Sequence, residues 1–412
     1  MPRLFCSALY APFDIALLKV IAHNGFAISA AGTHMSTPII ERHRDAMQRT
    51  RAALPAAHHL PGDFYTSPEI QRLERDRIFR REWLCVGRVE EFPNPGDYAA
   101  LCIADEPVVL CRDRSGKLRA FFNVCRHRGT EVALGCGNST RFTCPYHAWT
   151  YDLDGRLLGA PFTDDIENFD RALFGLKPVN LDSWGGFVFI NLDPAARPLA
   201  DALGSFREIF APYRPEDCRI AFKIHVEYDS NWKAVAENFV DVYHLATLHA
   251  NSFGTNQPLE SYRFTSYPWG YTGRFRGLSP MTLDGQPRFG CMPWLSGDYL
   301  EYGYSAHLFP NMGFYARQDN IHWVTQWRIT VDRAAADIHI MFPAEFHARP
   351  DFKEKLVDYE KCFELAIEED RGMIGALQKG FKSQSFEPGP MSRFEHAVRH
   401  LINYNLDKIS AP

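Results

Sequence analysis

Between Trp83 and Pro198, short apolar or alternating runs recur at close intervals: LCVGRV, GDYAALCIA, EPVVLCRD, KLRAFFNVC, FTCPYHAWTYD and WGGFVFINLD. The segments between them, PNPGD, DRSGK and DLDGR, are built from turn-forming residues. Alternation with a period of two marks strands with one buried face, so this stretch predicts an antiparallel β-sandwich. The pattern then changes. Residues 201–213 read as a short amphipathic helix and RIAFKIHVEY as a strand. In NWKAVAENFVDVYHLATLHANSFG (231–254), Val235, Phe239, Val242 and Leu245 fall at helical spacing. Further strands follow in EYGYSAHLFP, MGFYARQ, IHWVTQWRITVD and DIHIMFPAEF, before one long helical segment over 351–381. An antiparallel sheet closed by a long helix predicts an α+β helix-grip (START- or Bet v1-like) domain around a cavity.

The start of the chain is different in kind. Leu4–Ala22 is apolar but carries Asp14 and Lys19, so it is too short and too charged to span a bilayer. Small residues follow in AISAAG, as at a signal-peptide cleavage site, but the preferred reading of 1–34 is a non-native or over-long extension before Met35. Residues 35–82 are charged and helix-prone, and Ser67-Pro68-Glu69 reads as an N-cap with proline in the first turn. The expected domains are therefore 1–34 (extension), 35–82 (helical segment), 83–199 (β-sandwich) and 200–412 (helix-grip).

Charge narrows the possible partners. The 412 residues hold 45 basic and 50 acidic side chains, a net charge of −5, which argues against nucleic acid and anionic membrane. Ten cysteines in a chain of this length do not form a disulfide scaffold and suit a reducing cytoplasm.

The chemistry is concentrated in two places. Cys125-x-His127 is followed by sixteen residues and then Cys144-x-x-His147. Zinc fingers pair cysteine with cysteine and histidine with histidine. Here each loop offers one thiolate and one imidazole, which suits a 2Fe-2S cluster with both thiolates on one iron and both imidazoles on the other. Structural zinc is the alternative. Gly129 and Pro145 stand where a tight ligand loop needs a missing Cβ or a fixed φ. CRHRG and CPYHAW closely resemble the Rieske family, with Trp149 after the last ligand. Tyr146 and the run Arg128-Gly129-Thr130 stand where the cytochrome-complex branch carries an extra, disulfide-forming cysteine in each loop. The resemblance thus points to the oxygenase and ferredoxin branch. Cys136, between the loops, reads as a packing residue.

The second place is Asp241-x2-His244-x4-His249. On a regular helix His244 and His249 lie about 140° apart, so they could share one metal only where the helix is locally unwound. Two histidines and one carboxylate that leave open positions suit non-haem Fe(II). The whole segment is similar to the catalytic motif of ring-hydroxylating oxygenase large subunits. That resemblance implies His244 and His249 as ligands of a mononuclear Fe(2+) and Asn238 near the iron. It also implies Asp241 as a bridge to a Rieske histidine of the adjacent subunit. A third ligand is expected late in the chain, in EED-x7-Q-x-G: Asp370, with Glu369 and Glu368 as alternatives. Trp294, Tyr302, Phe309, Phe314, Tyr315, Trp323 and Trp327 read mostly as core, with a few lining a pocket. His307 and His322 read as strand histidines with satisfied partners.

The resemblance implies a terminal oxygenase that takes O2, a small organic substrate and electrons from a separate reductase, with or without a ferredoxin. No complete GxGxxG follows a strand, so no nicotinamide or flavin site is read here. A homotrimer is implied, with or without a small β subunit. Glu237-Asn238-Phe239-Val240 runs directly into Asp241, one residue shorter than in naphthalene-type dioxygenases. This spacing resembles the terephthalate- and salicylate-type hydroxylases, and also the choline-, betaine- and carnitine-type monooxygenases, which usually place Glu at the bridge. Aromatic hydroxylation is the preferred expectation and oxidative N- or O-dealkylation the alternative. A Rieske electron carrier without oxygenase activity is the reading from another class.

Overall fold

The computed structural model describes residues 38–254, 259–277 and 280–411. The expected extension, 1–34, lies outside the described residues. The chain forms two compact units, one with Asn94–Pro178 as its body and the other built from His43–Pro93 and Val179–Ile409. The first strand, β1 (Leu84–Arg88), belongs to the second unit.

In the first unit, β2 (Asp97–Ile103), β3 (Glu106–Arg112), β4 (Leu118–Phe122) and β5 (Cys136–Asn138) make one antiparallel sheet in the order β4-β3-β2-β5. The strands β6 (Phe142–Thr143), β7 (Thr150–Tyr151) and β8 (Leu157–Gly159) make a second. Their inward side chains, including Val109, Phe121, Phe142, Tyr151 and Leu157, share one buried cluster, as a sandwich requires. Only the second ligand loop is a hairpin tip, between the paired strands β6 and β7. The first connects β4 to β5, which pair with different neighbours. Tertiary pairing of the three-residue β5 with β2 made the difference, and no local pattern announces it.

The margins of the expected 83–199 domain fall in the second unit. There β1 pairs with β10 (Phe187–Asn191), and β10 with β9 (Asn180–Trp184). The reason is packing: Trp83, Cys85, Phe187 and Phe189 are buried with Phe206, Phe314 and Trp323 of the same unit. The expected helix over 201–213 is broken into Leu199–Leu203 and Phe206–Phe210 at Gly204, whose φ is +47°.

The rest of the second unit is one seven-stranded antiparallel sheet. It comprises β11 (Cys218–Tyr228), β12 (Arg263–Tyr267), β13 (Gly270–Arg276), β14 (Tyr302–Leu308), β15 (Met312–Ala316), β16 (Ile321–Thr330) and β17 (Arg333–Pro343). The order is β11-β17-β16-β15-β14-β13-β12, a meander with β11 returned to its end. The long helix Phe352–Phe381 buries Leu356, Tyr359, Phe363, Ile367, Asp370, Ile374 and Gln378, a stripe at helical period. It meets the sheet through Phe363, whose ring lies 5.8 Å from that of Phe222 and 5.1 Å from that of His322.

Buried polar contacts tie this helix and the helix Pro68–Glu74 to the start of the segment that carries the histidine motif. Ser67 caps the helix Pro68–Glu74 as expected, its Oγ accepting from Glu69 N at 3.2 Å. At the far end of that helix, Glu74 pairs with Lys233 Nζ at 2.6 Å and accepts from Trp232 Nε1 at 2.7 Å. Gln378 Oε1 accepts from Asn231 N at 3.0 Å. A half-satisfied version of such a network would cost more than an apolar core, so it holds the start of the helix Trp232–Val240 firmly.

Candidate metal centres

The two cysteine loops of the first unit are built alike. Cys125 N donates to Thr130 O and Cys144 N to Trp149 O, each at 2.8 Å. Gly129 N donates to Cys125 O at 2.9 Å and Ala148 N to Cys144 O at 3.0 Å. The residue closing each turn has positive φ, +86° at Gly129 and +57° at Ala148. This repeated turn brings His127 Nδ1 and His147 Nδ1 to 3.2 Å from each other. Both cysteines are buried and in no disulfide, whereas His127 is exposed and His147 partly so.

The surroundings fix the rings. His127 stacks on Trp149 at 5.1 Å and 10°, and Arg128 donates to Tyr146 Oη across the two loops at 3.0 Å. Tyr151 Oη lies 3.3 Å from Cys125 Sγ. A single zinc would need the donors gathered about one point. Among the described residues, the only group of His, Cys, Asp or Glu placed to hold one ion lies elsewhere, at His244, His249 and Asp370. Two inner thiolates and two outer, adjacent imidazole nitrogens instead fit the unequal irons of a Rieske cluster.

In the second unit the helix Trp232–Val240 stops at Asp241, whose backbone is extended (φ −75°, ψ 128°). A four-residue helix, Leu245–Leu248, follows, with His244 before it and His249 after it. The expected local unwinding is present, but it lies before His244, and His249 is the first residue past the short helix, with φ −92° and ψ 21°. His244 Nε2 lies 3.2 Å from His249 Nε2, and Asp370 Oδ1 lies 3.2 Å from His249 Nε2 and 3.7 Å from His244 Nε2.

The remaining ring nitrogens face carboxylates. His244 Nδ1 is 2.9 Å from Asp241 Oδ2, and His249 Nδ1 is 2.7 Å from Glu369 Oε2. Glu369 also accepts from Ser252 Oγ at 2.6 Å. Because Nδ1 donates in each ring, each Nε2 presents a lone pair. Two lone pairs and a buried carboxylate oxygen that forms no hydrogen bond thus converge. That arrangement is repulsive without a cation. Three ligands at right angles with bonds of about 2.1 Å would stand about 3.0 Å apart, close to the spacings here.

The sequence expectations divide cleanly. His244, His249 and Asp370 come together, and Glu369 stands behind His249 rather than at the convergence. Glu368 is exposed and reaches Arg371 at 3.3 Å. Asp241 both orients His244 and caps the turn, accepting from Tyr243 N at 2.7 Å. Asn238 lines the adjoining cavity. Its neighbour Glu237 is half-buried, and loss of solvent raises its pKa to about 7 even though His59, the Tyr65 hydroxyl and Lys233 oppose the shift.

Of the aromatic residues singled out in the sequence, only Tyr315 lines that cavity. Phe314 and Trp323 pack in the core. Phe253, Tyr262, Tyr271 and Phe275 line it as well and were missed. Strands were expected over 262–345 but none was placed within 263–276, so nothing in the local pattern aimed Tyr271 and Phe275 inward. His322 is corrected: it lines the cavity, and its buried Nδ1 has no hydrogen-bond partner.

With this geometry in view, comparison with known proteins is informative. The sequence matches the Rieske 2Fe-2S domain over residues 82–170 and the ring-hydroxylating alpha subunit catalytic domain over 215–411. The oxygenase subunit of glycine betaine monooxygenase from Chromohalobacter salexigens is 29% identical over 410 residues, covering 88% of each chain. The large subunit of anthranilate 1,2-dioxygenase from Acinetobacter baylyi is 36% identical over 208 residues, 48% of this chain and 44% of that one. The crystal structure of the quaternary ammonium Rieske monooxygenase CntA with L-carnitine superposes with a TM-score of 0.71 at 26% identity, covering 86% of this chain and 96% of that one. Among the described residues no helix is long and apolar enough to cross a membrane. The chain belongs to the Rieske non-haem iron oxygenases, as a large subunit whose cofactors are a 2Fe-2S cluster and a mononuclear iron.

Proposed function

We propose that this terminal oxygenase carries out oxidative N-dealkylation of a small amine or quaternary ammonium compound. The observation that carries this reading is the near full-length likeness to glycine betaine monooxygenase, supported by the fold match to CntA with L-carnitine. In the proposed assignment Cys125, Cys144, His127 and His147 hold the cluster, and His244, His249 and Asp370 hold Fe(2+). The bound iron supplies O2 activation at positions the three protein ligands leave open. Asp241 and Glu369 keep both imidazoles in the tautomer that ligates. Tyr315, Tyr262 and Phe275 line the cavity and supply aromatic surface beside which a cationic nitrogen could sit.

The balance is one C–H bond next to nitrogen, O2, two electrons and two protons, giving a C–OH group and water. The hydroxylated carbon then expels the amine and becomes an aldehyde. Electrons come from a separate reductase, in a cytoplasmic homotrimer in which Asp241 spans the subunit interface. Anaerobically purified enzyme, a surrogate reductase and NADH should release amine and aldehyde from a quaternary ammonium panel. Ring-hydroxylated product from aromatic acids, with no aldehyde from any amine, would overturn this reading. It would favour the second one, aromatic hydroxylation, for which Asp241 and the anthranilate dioxygenase match speak.

A further inference from the structure

Among the described residues, the most exposed large apolar side chain is that of Phe162, at 95%, in the loop that follows β8. Leu158, Ile166 and Leu173 of the same stretch are exposed as well. The backbone of Phe162 is also unusual. Its φ is +56°, a left-handed conformation that a bulky residue seldom holds. The next residue anchors it: Thr163 is buried, and its Oγ1 donates to Ala160 O at 2.8 Å. Exposed apolar groups on a strained backbone add nothing to this unit's own core, and such features collect where a surface is used.

The loop is acidic. Asp164, Asp165, Glu167 and Asp170 are exposed, and Arg171 is the one cation between residues 158 and 174. Asp170 caps the short helix Arg171–Phe174, accepting from Ala172 N at 2.9 Å. The other three pair with no cation among the described residues.

The same loop leans on the cluster turns. Phe169 and Phe174 stack on each other at 5.0 Å, and both meet Trp149 edge-on, at 5.7 and 5.8 Å. Trp149 in turn stacks on His127. A partner seated on this loop therefore stands a few ring contacts from a proposed cluster ligand.

The edge of the histidines has the opposite charge. Arg128 is exposed there beside Tyr146, a rim suited to the Asp241 proposed to arrive from an adjacent subunit. Two faces of opposite sign suit two partners. A second copy is a poor occupant for the acidic one, because the chain itself is acidic, at −5, and the cores of interfaces between copies are depleted of charge. Electron-transfer complexes are small, transient and steered by opposite charge.

We propose that segment 158–174 is the docking surface for the electron-donor protein, which meets it with a basic face and an apolar recess for the Phe162 ring. This rests on the supply of electrons by a separate reductase. NADH gives the donor two electrons as hydride. Each encounter then moves one: the donor is oxidised by one electron, and one Fe(III) of the cluster becomes Fe(II). The acids gather the donor and Phe162 fixes its seat, so salt should tell the two apart.

Stopped-flow absorption can follow cluster reduction in the anaerobic holoenzyme, using NADH and a surrogate reductase chosen because it reduces the wild-type cluster. Rising ionic strength should slow wild type about tenfold or more. The triple variant Asp164→Asn, Asp165→Asn, Glu167→Gln should be slowed about as much at low salt and match wild type at high salt. Phe162→Ser should be slower at both. Dithionite needs no docking, so it should reduce every variant at least as fast as wild type, which also checks that the cluster is intact.

Variants that the reductase reduces at the wild-type rate at low salt would overturn the proposal. So would a fall in mass by sedimentation in Phe162→Ser, because a second copy would then cover the loop. Reduction that depends on the acids and on Phe162, with no aldehyde formed from any amine, would leave the docking surface standing and remove the dealkylation reading. Aldehyde formed by variants whose reduction is unchanged would do the reverse.

Discussion

The Cys/His loops and the His/His/carboxylate trio solve the same problem, aiming donors at iron, by opposite means. In the first, each cysteine sits in its own short turn, closed by backbone hydrogen bonds within six residues. The turn is used twice, and the histidines meet at the surface. In the second, two donors flank a broken helix and the third comes from a helix more than a hundred residues later. Both histidines of that trio are supported from behind, His244 by Asp241 and His249 by Glu369, and a buried network lies under the helix start. A site made of local turns is written in a contiguous motif. One assembled across a sheet depends on the whole core and is sensitive to distant changes.

The largest expected effect tests the independence of the two. Asp370→Ala should abolish turnover and reduce iron from three to two per chain, while the cluster absorption stays at the wild-type level. Loss of the cluster signal as well would mean that the regions are not separable. Glu369→Ala should be milder, lowering iron affinity about 10–100-fold, because it removes the partner of a ligand and not a ligand. If iron dialysis shows the two variants reversed, the third ligand is Glu369.

Asp241 is where the regions are proposed to communicate. Asp241→Asn should leave both centres loaded and the cluster reducible, yet slow turnover by at least 10–100-fold. Rapid mixing of reduced variant with O2 and substrate checks it. Cluster reoxidation at the wild-type rate would take Asp241 off the electron route.

The pH response should also separate them. In the first unit, burial alone would raise the Asp113 pKa. Hydrogen bonds from Ser115, Arg119 and the Lys117 backbone outweigh it and hold the value near about 2. That stabilisation is present above the unfolded value of 3.8 and is lost as pH falls towards 2. In the second unit Glu237 is raised from 4.5 to about 7 by burial. Its contribution is full below 4.5 and is lost as pH rises through 7. Glu237→Gln should therefore raise the melting temperature at pH 8 more than at pH 5. Asp113→Asn should lower it at pH 6 more than at pH 3. Calorimetric scans across this range test both signs.

The smallest effect compares the two cysteine turns directly. Nothing lies within 4 Å of a Cβ built on Gly129, so Gly129→Ala meets only its φ of +86° and should cost about 1–2 kcal/mol. Ala148→Gly relieves the same conformation in the other loop and should change stability by no more than about 1 kcal/mol. Thermal melts followed by cluster absorption measure both. Equal destabilisation would show that the turns are not equivalent.

Much of this was legible in the chain alone. The four cluster residues lie in two short motifs whose spacing already encodes their turns, and Asp241, His244 and His249 lie within nine residues. The long helix announced itself by its period, because it buries one continuous stripe, and strands β14 to β17 by their apolar runs, most of whose consecutive residues are buried. Period says which face is buried, but not what it is buried against. Asp370 could be named only beside Glu369 and Glu368. Adjacent positions on a helix point about 100° apart, and only the packed helix decides which one faces the histidines. The same packing turned Glu369 into a partner of His249, drew β1, β9 and β10 into the second unit, and placed Arg317 and His322 on one wall of a cavity. Those outcomes depend on contacts between residues far apart in sequence, where local propensity carries no information and burial of the shared core decides.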